Sequence, residues 1–320
     1  MGLKIIGTGK CVPKKVVTND YLATIMDTSD EWISSRTGIK ERRIAEDETI
    51  VSMSVKAAEE ALKQANIKPA DLDLIIVGTL TPDVSMPNTA CLVQKELGAE
   101  KAMCIEVNSA CTGFMCGLNT AYAYMTAGIY KTALVVGAEI LSRIVDWEDR
   151  KTAVLFGDGA GAAVAEFDSE GLFELVQRTD GGLGENLTCD ARQTANLFNP
   201  KDFRPGYVAM DGQEVFMFAV RRVTESIKQV LDKAGCDKND IDCFILHQAN
   251  KRIINTVAKR LGVEEIKFPT NLERYGNTSA ASIPILLDEL NKEGKLKKGS
   301  KIILSGFGGG LSWATSLMEW

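Results

Sequence analysis

Cys111 is the strongest candidate nucleophile in the chain. It follows the strand-like stretch Met103–Val107 across the turn 108–110, and it opens a long apolar segment that predicts a helix. The amides and the dipole at a helix N-terminus stabilise a thiolate, which is the reactive form of cysteine. A buried, inert cysteine is the other interpretation of this position. The sequence therefore predicts thiol chemistry at Cys111 and leaves a structural role open.

Two further side chains could act together with this cysteine. His247, the single histidine of the chain, directly follows the apolar residues 244–246, and α/β sheets place their sites at the carboxyl ends of parallel strands. Asn277 lies in the turn 275–281, which leads into a second apolar helix. A structural histidine and a helix-capping asparagine are the alternatives. Together the three residue types predict a Cys/His/Asn site for nucleophilic catalysis.

The elements that must position these residues repeat along the chain. Asn277 corresponds to Asn108 at an offset of 277 − 108 = 169 residues, and at this offset the order of helices and strands repeats as well. The corresponding segments are 54–66 with 223–235, 71–78 with 240–247, and 132–137 with 301–306. Strands that alternate with helices predict a largely parallel sheet covered on both faces. We therefore predict an α/β fold of two pseudo-symmetric halves, 1–170 and 171–320, whose strand ends share one site.

One stretch has no evident counterpart in the second half. Residues 139–215 are rich in Gly, Asp, Asn and Pro, a composition typical of loops. We interpret this stretch as an insertion that carries functional loops.

The composition excludes several classes of protein. The chain has 320 residues, of which 45% are hydrophobic and 25% charged, and its 37 basic and 43 acidic residues give a net charge of −6. These values fit one large or two similar globular domains and exclude intrinsic disorder and a small disulfide scaffold. A mildly acidic chain is also a poor candidate for general nucleic-acid binding, which needs a basic surface.

Cysteine usage and hydropathy indicate a reduced, cytoplasmic enzyme. The eight cysteines contain no CxxC pair of the kind that binds metal, and the N-terminus lacks the apolar core of a signal peptide. The uncharged stretch 107–130 is long, but it contains Asn108, Ser109 and Asn119, and its apolar residues surround the helix. This pattern predicts a helix buried inside a large protein and no insertion into a membrane.

Two glycine-rich segments have different interpretations. The segment 157–162 fits a dinucleotide-binding pattern, but the residues after it are typical of a strand and not of the helix that such a site requires. The segment 307–310 follows a strand and could direct a backbone amide at a ligand oxygen, or it could form a plain tight turn.

Two helices carry candidate binding residues. Thr28 and Glu31 are spaced as a capping box for a helix with Trp32 and Arg36 on one face. An aromatic plane beside a guanidinium suits an adenine with its phosphates, although an ordinary exposed face is the alternative. Helix 251–261 carries four cations that could dock an acidic carrier protein or simply face solvent, namely Lys251, Arg252, Lys259 and Arg260.

Five motifs in order resemble the β-ketoacyl-acyl-carrier-protein synthase III family, the thiolase-fold condensing enzymes that start bacterial fatty-acid synthesis. They lie at residues 108–114, 156–161, 247–250, 276–281 and 307–310, and the resemblance runs from residue 6 to the C-terminus. It implies two βαβαβαββ halves in an α-β-α-β-α core. Elongating synthases use Cys-His-His, which one histidine cannot supply. Biosynthetic thiolases need a second cysteine near the C-terminus, yet the last cysteine here is Cys243.

The resemblance also implies a reaction without a cofactor or a metal. Cys111 would take an acetyl or short acyl group from acyl-CoA, with the oxyanion held by the backbone amides of Cys111 and Gly309. Malonyl-acyl carrier protein would then enter, and His247 and Asn277 would stabilise the enolate that forms as CO₂ departs. The products would be β-ketoacyl-acyl carrier protein, CoA and CO₂.

Binding residues follow from the resemblance in the same way. Trp32 and Arg150 would enclose the CoA adenine, with help from Arg36 and Asn250. Lys251 and Arg252 would bind the carrier protein. The family is homodimeric, and the residue at the position of Met86 reaches the partner's acyl pocket. Two alternatives remain: an acyltransferase or condensing enzyme of a secondary pathway with the same triad, and a non-catalytic homologue that binds acyl-CoA.

Overall fold

A computed structural model of the chain describes residues 2–190 and 206–320. Within these residues the strands are, in chain order, β1 (Gly2–Cys11), β2 (Lys15–Thr18), β3 (Glu41–Ile44), β4 (Leu74–Gly78), β5 (Met103–Val107), β6 (Thr132–Glu139), β7 (Gly159–Asp168), β8 (Phe173–Thr179), β9 (Leu187–Cys189), β10 (Val208–Met210), β11 (Cys243–Leu246), β12 (Lys301–Gly308) and β13 (Ser312–Glu319). The α-helices are α1 (Asn19–Leu22), α2 (Asp30–Thr37), α3 (Ile50–Ala65), α4 (Thr89–Leu97), α5 (Gly113–Thr126), α6 (Gly212–Ala234), α7 (Lys251–Leu261), α8 (Leu272–Tyr275) and α9 (Ser282–Lys292). Two 3₁₀ turns, Ala110–Thr112 and Ser279–Ala281, lead into α5 and α9.

Two mixed sheets carry the fold. The first has the strand order β1-β7-β6-β4-β5 and the second the order β11-β12-β13-β8. β4 is parallel to β5 and β6, and β11 is parallel to β12. β7 and β13 are antiparallel to both of their neighbours. Within each of these sheets all other strands therefore run in one direction, as predicted for a largely parallel sheet, and β7 or β13 runs against them.

The two halves repeat at the predicted offset. β6 begins at Thr132 and β12 at Lys301, a difference of 301 − 132 = 169 residues. The two 3₁₀ turns are likewise 279 − 110 = 169 residues apart. The pseudo-symmetric α/β fold is thus confirmed, although α3 and α6 begin earlier than predicted. The division at residue 170 stays a prediction; β7 ends before it in one sheet and β8 begins after it in the other.

Residues 139–215 are only partly an insertion. β7 lies beside β6 as β13 lies beside β12, and β8 flanks β13 as β1 flanks β7. The prediction that this stretch lacks a counterpart is therefore wrong for residues 159–179. The sequence hides the correspondence because β7 is built from glycine and alanine where β13 carries larger side chains. Residues 191–205 of the stretch lie outside the described residues.

Apolar side chains fill the space between successive layers in the order α-β-α-β-α. Leu74 and Ile76 of β4 face the central helices α5 and α9, whereas the alternate residues Ile75 and Val77 face α3 and α4. Phe244 of β11 faces α6 and α7 in the same manner. This period of two, with both faces buried, is expected of a sheet between helical layers. The helix predicted within 107–130 is α5, which is buried between the sheets. Among the described residues no helix is long and apolar enough to cross a membrane.

The glycines of segment 157–161 serve packing. A Cβ atom at Gly161 would lie 2.6 Å from the backbone nitrogen of Ile285 in α9, and one at Gly157 would lie 2.2 Å from the carbonyl oxygen of Tyr275. Only glycine allows the backbones to approach so closely. The segment also continues into β7 and not into a helix, which agrees with the rejection of a dinucleotide site.

We predict that Gly137→Ala destabilises the protein. A Cβ atom at Gly137 in β6 would lie 2.1 Å from the carbonyl oxygen of Ala280, so the second half would have to shift. Overpacking of this kind lowers the free energy of unfolding by about 1–3 kcal/mol. Gly181→Ala is the matched control, because nothing lies within 4 Å of its Cβ position. Urea unfolding of both variants measures the difference, and equal stabilities would contradict the packing argument.

Candidate active site

A cavity of about 850 Å³ brings the three predicted residues together. Cys111, His247 and Asn277 all line it. Its walls include residues that directly follow β4, β5 and β11, together with the end of β12. The predicted Cys/His/Asn constellation thus lies at the carboxyl ends of parallel strands from both halves, where α/β sheets place their sites.

Cys111 lies in a 3₁₀ turn that is held by its neighbours. The turn begins with Ala110 in a left-handed conformation (φ 44°) and leads directly into α5. The Thr112 hydroxyl donates to the carbonyl of Ser109 over 2.7 Å and hydrogen-bonds to Ser312 over 2.8 Å. A Cβ atom at Gly308 would lie 2.8 Å from that of Cys111. The close approach of β12 therefore requires a glycine and fixes the position of the thiol.

Burial keeps Cys111 in the thiol form. Desolvation raises the pKa of the thiol to about 12; the Ser279 hydroxyl opposes this rise by a hydrogen bond, and the buried Glu139 adds to it. Burial disfavours the charged form of any acid. Loss of water thus opposes the thiolate that the helix N-terminus is expected to stabilise.

His247 is a neutral hydrogen-bond donor. Burial lowers the pKa of its ring to about 3. Its Nδ1 lies 2.6 Å from the Ser282 hydroxyl, which also accepts the amide of Gln248 over 3.3 Å. When the Ser282 hydroxyl donates to Nδ1, the proton of the neutral ring lies on Nε2. Nε2 can then donate to an oxygen in the cavity.

Asn277 precedes the 3₁₀ turn that leads into α9 and is not its capping residue. Its Oδ1 accepts the amide of Ser279 over 2.9 Å. Its backbone is fixed by hydrogen bonds to Leu155 and Gly157. Since the side-chain oxygen is engaged, the Nδ2 amide is the end that remains for the cavity. Asn277 and His247 thus line the same cavity, each with a nitrogen that can donate.

Gly309 lies beside the turn that holds the nucleophile. β12 continues to Gly308, two residues beyond the repeated segment 301–306, so Gly309 and Gly310 lie in the turn that follows. A Cβ atom at Gly309 would lie 3.3 Å from the Cβ of Ala110. Gly309 also lines the cavity with Cys111. Both backbones predicted to hold an oxyanion thus belong to one wall.

The predicted adenine site lies outside the residues that line the cavity. The Arg36 guanidinium lies 4.6 Å from the centroid of a Trp32 ring, and that of Arg150 lies 5.2 Å from it. An aromatic ring stacked between two planar groups needs a separation of about 7 Å between them, which is twice the van der Waals contact distance. Arg150 must therefore move outward to admit an adenine. It is held by the carbonyl and carboxylate of Asp27, an exposed pair that is readily exchanged.

The predicted cap of this helix is wrong. α2 begins at Asp30, and Ser29 is its capping residue, with an extended backbone and a hydroxyl that accepts the amide of Trp32 over 3.1 Å. Thr28 lies one residue too early, so its side chain cannot reach the first turn in this way. Trp32 and Arg36 still share one face, as predicted.

Asn250 joins α7 to α2 at the cavity. Its side-chain oxygen accepts the amide of Arg252 over 2.8 Å, and its Nδ2 donates to the carbonyl of Arg36 over 3.1 Å. The Arg252 guanidinium lies 6.0 Å from the ring of Phe216, which lines the cavity. Lys251 forms an ion pair with Glu273 over 3.0 Å. Arg252 is thus a cation at the cavity, whereas the charge of Lys251 is partly compensated.

Met86 projects into solvent. Its side chain is 86% exposed, whereas the neighbouring Val84 and Ser85 line the cavity. An apolar side chain this exposed beside a cavity is a candidate for contact with another protein surface.

Three residues near the reacting groups escaped the sequence analysis. Ser279 and Ser282 contact Cys111 and His247, and Glu139 is fully buried at the end of β6. The signal for Glu139 was present: it is a charged residue at the carboxyl end of an apolar strand, the position that singled out His247.

Two family descriptions match the chain. "3-Oxoacyl-[acyl-carrier-protein (ACP)] synthase III" matches residues 105–181, and the description of the C-terminal part of the same family matches residues 231–320. The chain is 51% identical to the β-ketoacyl-[acyl-carrier-protein] synthase III of Clostridium botulinum over 321 residues, which cover 99% of this chain and 98% of that protein.

Solved structures agree over the full length. The crystal structure of 3-oxoacyl-[acyl-carrier-protein] synthase III from Aquifex aeolicus superposes with a TM-score of 0.94 at 47% identity and covers 100% of both chains. A priming β-ketosynthase from the R1128 polyketide biosynthetic pathway has a TM-score of 0.92 at 36% identity and covers 99% of this chain and 96% of its own.

We predict that His247 stays neutral in the folded protein between pH 5 and 8. Because it is the single histidine, its ring proton signals can be followed by NMR without assignment. They should not shift in this range, since burial lowers the pKa of His247 to about 3, whereas the unfolded chain in urea should titrate near about 6.5. The unfolded state then takes up the proton first, so this residue lowers stability as pH falls below that value. A folded-state titration centred near pH 6.5 would contradict the prediction.

Proposed function

The chain belongs to the 3-oxoacyl-[acyl-carrier-protein] synthase III family, and from this premise we propose that Cys111 accepts the primer acyl group. The protein is an acyltransferase of the condensing type. The observation that supports the assignment is the presence of Cys111, His247 and Asn277 in one cavity. In the first half-reaction the Cys111 sulfur attacks the thioester carbonyl of acyl-CoA, and CoA leaves as the acyl-cysteine forms.

The oxyanion of this step lies between two backbone amides. Cys111 and Gly309 belong to adjoining turns on one wall of the cavity, so their N–H groups can converge on one oxygen. Donors held in advance stabilise the charge that develops in the transition state, and one donor contributes on the order of 10²–10³ in rate. No side chain need move to supply them.

Decarboxylation in the second half-reaction uses neutral donors. Malonyl-acyl carrier protein places its thioester oxygen against Nε2 of His247 and Nδ2 of Asn277. As CO₂ departs, negative charge collects on that oxygen, and the two donors stabilise the enolate. Its carbon attacks the acyl-cysteine and gives β-ketoacyl-acyl carrier protein. Because thioester exchange and loss of CO₂ need no electron transfer, the reaction uses no redox cofactor.

The substrates approach from the α2 and α7 side. We assign the adenine of CoA to Trp32, with Arg150 moving outward to cover it and Arg36 beside the phosphates. Asn250 holds α7 against α2 and so keeps this surface in place. The carrier protein docks at Lys251 and Arg252, where an acidic partner gains from a local basic patch on an acidic chain.

We assign the exposed Met86 to a contact with a second copy of the chain, in a homodimer in which it borders the partner's acyl pocket. Burial of this exposed, apolar side chain in such a contact is favourable, because it removes apolar surface from water. Light scattering tests the proposed homodimer by measuring the mass of the particle in solution. The cytoplasmic location stays a prediction from cysteine usage.

A second candidate function differs in its primer and pathway. The similarity to a priming β-ketosynthase of polyketide synthesis favours an enzyme with the same triad that starts a secondary product. A panel of acetyl-, isobutyryl- and octanoyl-CoA distinguishes the two, since a preference for acetyl or short acyl groups supports the primary pathway.

We expect Cys111→Ala to abolish acylation and His247→Ala to spare it. Incubated with acetyl-CoA, the first variant should show no acyl adduct by intact-protein mass spectrometry, because the acceptor sulfur is gone. His247→Ala should still form the adduct but lose about 10²–10³ in the rate of malonyl decarboxylation, since one enolate donor is missing.

Cys116→Ala is the matched control for the nucleophile. Cys116 is a buried cysteine of α5 that hydrogen-bonds to Ser109 and does not line the cavity. Its variant should acylate normally. An adduct that survives in Cys111→Ala would reject the nucleophile, and normal decarboxylation in His247→Ala would make that histidine structural.

Arg252→Ala should impair only the half-reaction that uses the carrier protein. We expect KM for malonyl-acyl carrier protein to rise about five- to tenfold, with less effect at high salt, because a surface charge acts through screened attraction. Acylation by acetyl-CoA should not change. Lys259→Ala, at the other end of α7, is the matched control. An equal rise in KM for both variants would reject a specific docking site.

A further inference from the structure

The mechanism leaves one group near Cys111 without a role. Glu139 ends β6 with no exposed surface, and burial raises the pKa of its carboxyl to about 7. The thiol beside it is protonated for the same reason, namely loss of water. The proton that Cys111 must lose on forming a bond therefore needs a destination, and His247 is a poor one because burial lowers its pKa to about 3.

The two carboxylate oxygens of Glu139 have different surroundings. Oε2 accepts three hydrogen bonds, from the Thr81 hydroxyl (2.7 Å), the Leu80 amide (3.1 Å) and the Thr79 hydroxyl (3.2 Å). Both threonine oxygens accept backbone amides, those of Ile140 and Thr81, so their protons are directed at Glu139. Oε1 has one recorded partner, the Ser279 hydroxyl at 3.0 Å. Oε1 is thus the oxygen with room for a proton.

Ser279 links this oxygen to the nucleophile. Its hydroxyl donates to Oε1 of Glu139, lines the same cavity as Cys111 and lowers the pKa of the Cys111 thiol. The turn that carries it is fixed, because its amide donates to Asn277 over 2.9 Å. Ser279 is moreover the residue that corresponds to Ala110 at the 169-residue offset, with nearly the same left-handed φ (48° and 44°).

The other charged groups of the surrounding elements are engaged elsewhere. Asp158, which precedes the β7 partner of Glu139, accepts the Ser142 hydroxyl and the amide of Ala45. Arg143, on the turn after β6, pairs with Asp83 over 2.8 Å. The charge of Glu139 raises the pKa of the Cys111 thiol, so ionisation of one acid opposes ionisation of the other.

We propose that Ser279 and Glu139 are positioning residues that hold the proton of Cys111 within the site, an inference that rests on the proposed role of Cys111. As the sulfur bonds to the acyl carbon, the thiol proton passes to Ser279 Oγ and the Ser279 proton passes to Glu139 Oε1. When the bond from the carbonyl carbon to the CoA sulfur breaks, the proton returns through Ser279 to that sulfur. The proton count is unchanged, and the buried site carries one negative charge throughout.

A shared charge has a measurable consequence. Below about pH 7 both groups are protonated, so the thiolate fraction rises about tenfold per pH unit. Just above that pH Glu139 has lost its proton, and the fraction of molecules with the charge on sulfur levels off until the thiol begins to ionise beside the charged carboxylate. The reactivity of Cys111 should therefore show a plateau above pH 7 before it climbs again.

The experiment is the rate of Cys111 alkylation by iodoacetamide, an uncharged probe, from pH 5.5 to 9.5. Peptide mass spectrometry resolves Cys111 from the other cysteines. In the unmodified sequence we expect the rate to rise to about pH 7, to level off and then to climb again. A rate that climbs about tenfold per pH unit from pH 5.5 to 9.5 with no break near pH 7 would overturn the proposal without recourse to any variant.

Variants identify the partner in this titration. Glu139→Gln should match the unmodified protein within about threefold at pH 6 and then continue to rise about tenfold per pH unit, because no second acid takes the charge. Asp288→Asn is the matched control, a fully buried carboxylate of α9 outside the cavity, and should keep the plateau. A plateau that persists in Glu139→Gln would overturn the assignment.

Ser279→Ala keeps the proposal testable if Glu139→Gln does not fold. Alanine occupies the corresponding left-handed position at residue 110, so the turn tolerates it. Alkylation should slow about tenfold at every pH, since the thiolate loses a donor; an unchanged rate would overturn the link. Alkylation needs no acyl-CoA, so a normal profile in a protein that fails to acylate would reject the proposed function and leave this inference standing.

Discussion

The site depends on the contact of two 3₁₀ turns with the sheets behind them. A Cβ atom at Gly78 would lie 2.5 Å from the carbonyl carbon of Gly113, and Gly137 and Gly308 approach Ala280 and Cys111 as closely. These distances are shorter than any side chain permits, so backbone lies on backbone. The turn that carries Cys111 and the turn that follows Asn277 therefore line one cavity. Each half alone supplies only part of the site.

Dense packing then sets the electrostatics. Cys111, His247 and Glu139 are all removed from water, and in each of them burial shifts the pKa toward the neutral form. For His247 this shift favours the reaction, because the neutral ring keeps one N–H group, which can donate to the enolate oxygen. For Cys111 it opposes the reaction, since the nucleophile must become an anion where water is absent. Ser279 connects the two acids, so the same burial that suppresses the thiolate supplies a partner for its proton.

The outer part of the site follows different rules. Trp32, Arg36 and Arg150 are half-buried or exposed, and their contacts are those of mobile side chains. Arg150 lies too near Trp32 to admit a ring, and only an exposed ion pair holds it there. Asn250, by contrast, is fixed by two hydrogen bonds that join α2 to α7. The surface for the soluble substrates thus has a rigid frame and adjustable cations, whereas the reacting groups below it have little freedom.

The sequence alone determined the outline: a two-fold α/β repeat, Cys111, His247 and Asn277 at the ends of corresponding elements, and a family resemblance. This was possible because the hydrophobic period and the turn residues are local properties, and the repeat is found by comparing the chain with itself. The tertiary structure decided the rest. The pairing of β7 with β6 was hidden by its small side chains, the capping role of Ser29 depends on one residue of register, and Glu139 gains its place only through residues 58 to 140 positions away. The protonation state of Cys111 was likewise decided by the tertiary structure, because a pKa depends on how much water the whole fold removes from a group, and no window of sequence records that.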